Sequence, residues 1–252
     1  MTPPFEAQAL PDLLNERVWS QVSKLAPTRA RPSLAATLIL IDRAGPEPRL
    51  LMGRRNPADR FMPGKFVFPG GRVDPSDRRM AVAGALPGPV EARLARIAPS
   101  SPSLPRALAL AAIRETYEET GLLVGTREYG APENAPEGWR DYAAHGVYPE
   151  LETLHFIARA ITPPRLPRRY DTVFFAADVA AVCGQAPGFV GPDRELVETV
   201  WAPLSEALEL DLPVITGVVL RELERRLEAG LPHFMPTPCY RVGRRGWIRE
   251  EM

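Results

Sequence analysis

The sequence predicts a single α/β/α sandwich built on a mixed β-sheet, and three observations point there. Strand-like and helix-like segments are interspersed along most of the chain. A long helix near the middle, running up to Gly121, carries a cluster of carboxylates. With 252 residues, 45% hydrophobic and 25% charged, the chain can bury one substantial core and need not be two domains, so residues 1–252 are read as one.

Pro11 to Leu25 places Leu14, Val18, Val22 and Leu25 on one stripe, which predicts an amphipathic helix. Apolar runs predict strands at Ser33 to Asp42 and at Arg49 to Arg54. Residues 78–103, rich in Ala, Pro, Arg and Ser, are expected to form a surface excursion with one short helical stretch around Val90 to Ile97. Leu104-Pro105 then opens a run of good helix formers, with Pro near the first turn and Gly121 as the C-cap. Thr153 to Ile161, Tyr170 to Val179 and Val197 to Ala202 read as strands. Leu204 to Leu210 and Val214 to Ala229 read as helices, the second striped by Leu220, Leu223 and Leu227. The tail, residues 232–252, either closes a pocket or frays. The 29 prolines, about twice average usage, imply many rigid connections.

The chemistry concentrates in Arg114-Glu115-Thr116-Tyr117-Glu118-Glu119-Thr120-Gly121-Leu122. Glu115, Glu118 and Glu119 stand at i, i+3 and i+4, so their side chains converge within one helical turn and repel one another. A hard divalent cation, which takes oxygen ligands and often bridges carboxylates to substrate phosphates, would relieve that repulsion. A solvated acidic face is the plainer alternative.

These residues resemble the Nudix hydrolase family, whose signature runs Gly, five residues, Glu, seven residues, Arg-Glu-U-x-Glu-Glu-x-Gly-U, with U apolar. The second half matches apart from Thr116. The first half lies in Phe68-Pro69-Gly70-Gly71-Arg72-Val73-Asp74-Pro75-Ser76-Asp77, where Asp77 occupies the Glu position. Between Asp77 and Arg114 stand 36 residues instead of seven, so an insertion of 29 splits the signature. Upstream, Leu50, Leu51, Arg54, Arg60, Gly64 and Phe68 to Gly71 match the extended motif of the coenzyme A diphosphatase subgroup. Met52, Arg55 and one extra residue before Arg60 depart from it. The resemblance covers roughly residues 33 to 205.

The resemblance implies an α/β/α sandwich and Mg²⁺ or Mn²⁺ held by Glu115, Glu118, Glu119 and the Gly70 carbonyl. Arg114 is expected to orient the carboxylates through a salt bridge. The general base is either Glu115 or Glu195; Glu198 can equally be strand decoration, and Asp77 is expected to hold the turn. Arg54, Arg60 and Lys65, which precede the Gly-Gly turn, are candidates for substrate phosphate, since Arg binds phosphate oxygens bidentately. Arg168 and Arg169 are candidates for a 3′-phosphate. Phe61, Phe66 and Tyr170 either stack on an adenine or serve the core.

Composition excludes other classes. Zero net charge argues against a protein that coats nucleic acid. The longest apolar stretch, Leu34 to Ile41, is far short of a membrane span, and the N-terminus does not read as a signal peptide. Cys183 and Cys239 are too few for a disulfide framework, which favours the cytoplasm. The expected partner is a small nucleotide substrate, with a homodimer allowed by analogy. Three readings compete: a diphosphatase of coenzyme A or its thioesters, an ADP-ribose or dinucleotide hydrolase, and a non-catalytic nucleotide-binding module.

Overall fold

Alternation within the first strand sets the layers. In β1 (Ser33–Asp42), Ala36, Leu38 and Leu40 point into one hydrophobic core while Ile39 and Ile41 point into another. A strand buried on both faces must have cover on both, and helices supply it. The computed structural model describes residues 9–26, 30–59 and 61–252.

Along the chain β1 is followed by β2 (Arg49–Arg55), β3 (Phe66–Val67), β4 (Gly70–Arg72), β5 (Leu122–Thr126) and β6 (Tyr148–Pro149). Then come β7 (His155–Ile161), β8 (Tyr170–Asp178), β9 (Val182–Gln185), β10 (Leu196–Pro203), β11 (Pro238–Val242) and β12 (Trp247–Glu251). The α-helices are α1 (Ala9–Leu14), α2 (Ser20–Val22), α3 (Gly88–Ala95), α4 (Leu104–Thr120), α5 (Arg140–Ala143), α6 (Leu204–Ala207) and α7 (Val214–Glu228). The main sheet runs β10-β2-β1-β8-β7-β11-β12, with β3 beside β2 and β4 beside β1. It is mixed: β1 pairs parallel with β8 and β11 with β7, and the remaining pairs are antiparallel. Helix α4 covers one face through Leu108, Ala112 and Ile113, and α7 covers the other through Val219, Leu220 and Leu223. This is the α/β/α sandwich the sequence predicts. Among the described residues, no helix is long and apolar enough to cross a membrane.

Three expectations change. The N-terminal helix forms but bulges, with a π-helical turn at Asn15–Trp19 between α1 and α2. The segment 78–103 is more than a surface excursion, because Met80, Leu86, Val90 and Leu94 are buried in the first core against α4. Arg78 Nη1 donates to Ser101 Oγ (3.0 Å) and Ser103 Oγ (2.6 Å), tying the two ends of the insertion together. The tail does not fray; its Trp247 lines a large cleft, so of the two expected roles it takes the pocket one. Its strands β11 and β12 form a hairpin that extends the sheet, and the fully buried Tyr240 donates to Glu222 Oε1 at 2.6 Å. A second small sheet, β6-β5-β9, begins directly after Gly121, where no strand is predicted.

Candidate active site

Helix α4 ends where the sequence expects. Gly121 adopts φ 75° and its N–H donates to the Tyr117 carbonyl at 2.7 Å. A side chain there would be strained by φ and would also meet the Ala186 carbonyl at 2.2 Å. Thr116, at a position where the signature is usually aliphatic, is fully buried and its hydroxyl donates back to the Ala112 carbonyl (2.8 Å). The departure therefore leaves no unsatisfied polar group.

The Gly-Gly turn lies against this helix. Strand β4 pairs with β1 so that Gly70 sits opposite Thr37 and Gly71 opposite Ala36. A Cβ on Gly71 would stand 2.3 Å from Glu115 Cδ, and one on Gly70 would stand 2.4 Å from Thr37 Oγ1. Only glycine lets the Glu115 carboxylate lie on this backbone.

Arg114 holds the cluster together from beneath. Its guanidinium is 6% exposed and donates to Asp77 through both Nε (2.9 Å to Oδ1) and Nη2 (3.2 Å to Oδ2). Nη2 also donates to the Arg72 carbonyl (2.8 Å), and Nη1 to Glu115 Oε1 and Glu118 Oε2, each at 2.9 Å. Burial alone would lower its pKa; the Asp77 bond and the charges of Glu115, Asp77 and Glu118 outweigh that and raise it, so Arg114 stays charged. Asp77 is fully buried and has further donors: Trp139 Nε1 (3.0 Å) and the Asp74 N–H (2.7 Å), the latter closing a capping box on the turn Pro75–Arg78. A shorter carboxylate where the signature has Glu thus anchors Arg114 at its base.

The carboxylates above it are under electrostatic pressure. Burial, only partly offset by Arg114, pushes Glu115 up to about 7, with Glu118 and Glu195 adding repulsion. Burial also raises Glu118. Glu119 is raised furthest, by burial and then by the charges of Glu195 and Glu115, while Arg55 and the Gly70 amide pull the other way. Glu119 is 5% exposed and its Oε2 has no hydrogen-bond partner.

These groups border a cleft of about 1160 Å³. Gly70, Gly71, Arg114, Glu115, Glu119 and Glu195 line it, so the structure gathers both base candidates with most of the expected metal ligands. Glu118 is absent from that lining, is 44% exposed and bonds to Arg114. Among the described residues no group of three or more His, Cys, Asp and Glu side chains is placed to hold a metal ion. The chemistry of the donors nevertheless suits a hard divalent cation: carboxylate oxygens, among them an orphaned, buried Glu119 oxygen beside other anions.

The basic candidates divide. Arg168 lines the cleft. Arg54 does not; it pairs with Glu198 on β10. Lys65 pairs with Asp211, and Arg169 donates to the Ala30 (2.8 Å) and Thr162 (3.2 Å) carbonyls, so both are also away from the cleft wall. Arg60 lies outside the described residues. Sequence reasoning missed Arg55, which lines the cleft, pairs with Glu195 (2.8 Å) and Asp59 (2.7 Å), and donates to the Phe61 carbonyl (3.0 Å). The signal was available: neighbours on a strand point to opposite faces, so Arg54 and Arg55 cannot both face the site. Arg78, at the start of the insertion, is a second missed cation in the lining.

No family model matches the chain. The chain is 31% identical over 211 residues to acyl-coenzyme A diphosphatase NUDT19 of Homo sapiens, an alignment covering 64% of this chain and 55% of that relative. The chain thus spans about half the length of the curated relative. Among solved structures, a NUDIX hydrolase from Alicyclobacillus acidocaldarius superposes with a TM-score of 0.55 at 28% identity, over 80% of this chain and 97% of that one. Fold, split signature and these two likenesses make the chain similar to the Nudix hydrolases, and among them to an acyl-coenzyme A diphosphatase.

Proposed function

We propose that the protein is a diphosphatase that hydrolyses coenzyme A or its acyl thioesters to 3′,5′-ADP and the corresponding 4′-phosphopantetheine. The observation that carries the reading is the buried Asp77–Arg114 clamp, which holds Glu115 against the Gly71 backbone at the edge of a large cleft. Clustered acids at raised pKa, with one carboxylate oxygen unpartnered, are the expected state of a cation site. Likeness to an acyl-coenzyme A diphosphatase supports the substrate.

Glu115, Glu119 and the Gly70 carbonyl would hold Mg²⁺ or Mn²⁺, with Glu118 completing the set from its bond to Arg114. When bound, such a cation neutralises diphosphate charge and acidifies water. Arg114 fixes the direction of the acids, because every hydrogen-bonding nitrogen of its guanidinium is spoken for. Arg55 presents positive charge beside the acids and holds Glu195 at the cleft. Glu195, half exposed and held among the described residues through one oxygen by Arg55, accepts the proton of the attacking water; Glu115, pinned between Gly71 and Arg114, is less free to do so.

The test is hydrolysis with Mg²⁺ or Mn²⁺ of coenzyme A, acetyl-coenzyme A, dephospho-coenzyme A, ADP-ribose, NADH and diadenosine polyphosphates. Coenzyme A substrates should lead the panel, and Glu119→Gln should remove activity. Preference for ADP-ribose or a dinucleotide would overturn the substrate; binding without turnover would overturn the enzyme reading.

A further inference from the structure

Glu195 stands one residue before β10, on a connection from β9 that contains Gly188 and Gly191, and its side chain is 50% exposed. A general base works only within hydrogen-bond reach of the proton it takes, so its main chain must be held as well as its carboxylate. Arg55 Nη1 holds the carboxylate at 2.8 Å. The main chain is held by the next residue, Asn56, which carries no charge and stands at a position that neither the signature nor the extended motif specifies.

Three carbonyls of the connection converge on Asn56. Its side-chain Nδ2 donates to the Pro192 (2.9 Å) and Arg194 (3.1 Å) carbonyls, and its backbone N–H donates to the Glu195 carbonyl (2.9 Å). Asn56 Oδ1 accepts from the Ala58 N–H (3.0 Å), an Asx turn that orients the amide group. The Asp59 N–H donates to the Asn56 carbonyl (3.0 Å), so each polar group of Asn56 is engaged. The connection meets it in a closed shape. In Gly191-Pro192-Asp193-Arg194 the Arg194 N–H donates to the Gly191 carbonyl (3.0 Å), with proline at the second turn position, and the Gly191 N–H donates to the Leu196 carbonyl (3.1 Å). Asn56 thus grips the carbonyl of Glu195 and two of the three before it.

We infer that Asn56 is a positioning residue for the hydrolysis: its side-chain amide fixes the loop so that the Glu195 carboxylate meets the attacking water. The inference rests on the reading of Glu195 as the base. The end of β2 divides the work, Arg55 acting on the side chain through charge and Asn56 on the main chain through hydrogen bonds. Asn56 is absent from the cleft lining, so its loss should lower kcat and spare KM.

Asn56→Asp is the test. It keeps the volume and the Oδ1 acceptor for Ala58, and it turns an oxygen in place of a donor toward the Pro192 and Arg194 carbonyls. On the substrate of the panel that turns over fastest, kcat should fall roughly ten- to hundredfold, the scale of a displaced catalytic group, with KM within about twofold. Glu195→Gln should lower kcat about a hundredfold or more. Adding Asn56→Asp to Glu195→Gln should change kcat by less than about twofold, because residues that act through one step do not add. Hydrogen exchange reads the loop without turnover: the amides of 191–196 should exchange roughly three- to tenfold faster in Asn56→Asp. Full kcat in Asn56→Asp beside an impaired Glu195→Gln, equal losses from Asn56→Asp in both backgrounds, or unchanged exchange overturns the inference and leaves the base reading standing. Full kcat in Glu195→Gln overturns the base reading and the inference with it.

Discussion

Replacing Asp77 by Asn is the sharpest test of how this site is supported, because it changes one charge and almost no volume. Asp77 is fully buried, and both of its oxygens face Arg114, which is itself 6% exposed. Removing one member of a buried ion pair typically costs about 3–5 kcal/mol, since the remaining charge is left desolvated. Arg114 keeps Glu115, Glu118 and the Arg72 carbonyl, which places Asp77→Asn near the low end, at about 3 kcal/mol. At roughly 2 °C per kcal/mol for a chain of this size, calorimetry should record a Tm lower by about 6 °C. The matched control is Glu118→Gln. That carboxylate is 44% exposed, so its pair with Arg114 is worth under about 1 kcal/mol and Tm should shift by less than about 2 °C. Turnover should fall in both, for different reasons: Asp77→Asn lets Arg114 and the acids drift, and Glu118→Gln removes a proposed cation ligand. Equal Tm shifts in the two variants would refute the idea that the shorter carboxylate at position 77 is the structural anchor.

Four other outcomes are expected. Asp77→Glu, which would restore the residue usual in the signature, should also destabilise, by about 1–3 kcal/mol in chemical denaturation, because the site is fully buried and already filled by the Arg114, Trp139 and Asp74 donors. Gly71→Ala should lower kcat by two orders of magnitude or more while leaving metal-free Tm nearly unchanged, since its Cβ would collide with the Glu115 carboxylate rather than with backbone. Tyr240→Phe leaves Glu222 one donor short beside Arg249 and should cost about 1–2 kcal/mol, read as a lower midpoint in urea. The stacked pair His155–His233 (centroids 4.2 Å apart) predicts acid sensitivity: burial first, then the charges of His233 and Arg43, hold His155 down at about 4. Its contribution is whole above an unfolded pKa near 6.5 and is lost as pH falls toward 4, so Tm should drop between pH 7 and 5 by the equivalent of about 1–2 kcal/mol, and His155→Gln should flatten that slope.

How much of this was legible in the sequence depends on the range of the physics involved. Local signals carried far. The apolar run of β1 predicts its bounds, Ser33–Asp42, and Gly121 marks the helix end, because each is decided by residues within a turn or a strand. The carboxylate cluster was equally local, a matter of helical spacing. What failed was everything settled by distant partners. Segment 78–103 reads as a surface excursion with a short helix around Val90 to Ile97; the helix forms, yet Val90 and Leu94 are buried because α4 offers them a face to pack on. The tail's Pro, Gly and Arg content hides a hairpin whose registration depends on β7, nearly eighty residues upstream.

The arginines show the limit most clearly. Motif matching favours Arg54 over Arg55, since Arg54 fits the extended pattern and Arg55 departs from it. The strand decides otherwise. β2 pairs with β10 so that Arg54 lies opposite Glu198 and Arg55 opposite Leu196; Arg54 closes an ion pair with that neighbour while Arg55 turns to the cleft and meets Glu195. A bulge between Leu196 and Glu198 shifts the register, leaving Glu195 beyond the last paired residue, beside the acids of α4. If Arg55 rather than Arg54 serves the substrate phosphates, Arg55→Ala should raise KM for coenzyme A at least tenfold, and Arg54→Ala, which removes only a half-exposed pair, should change it less than twofold. The reverse ranking would return the assignment to the motif and would mean that the pairing of Arg55 with Glu195 and Asp59 is structural.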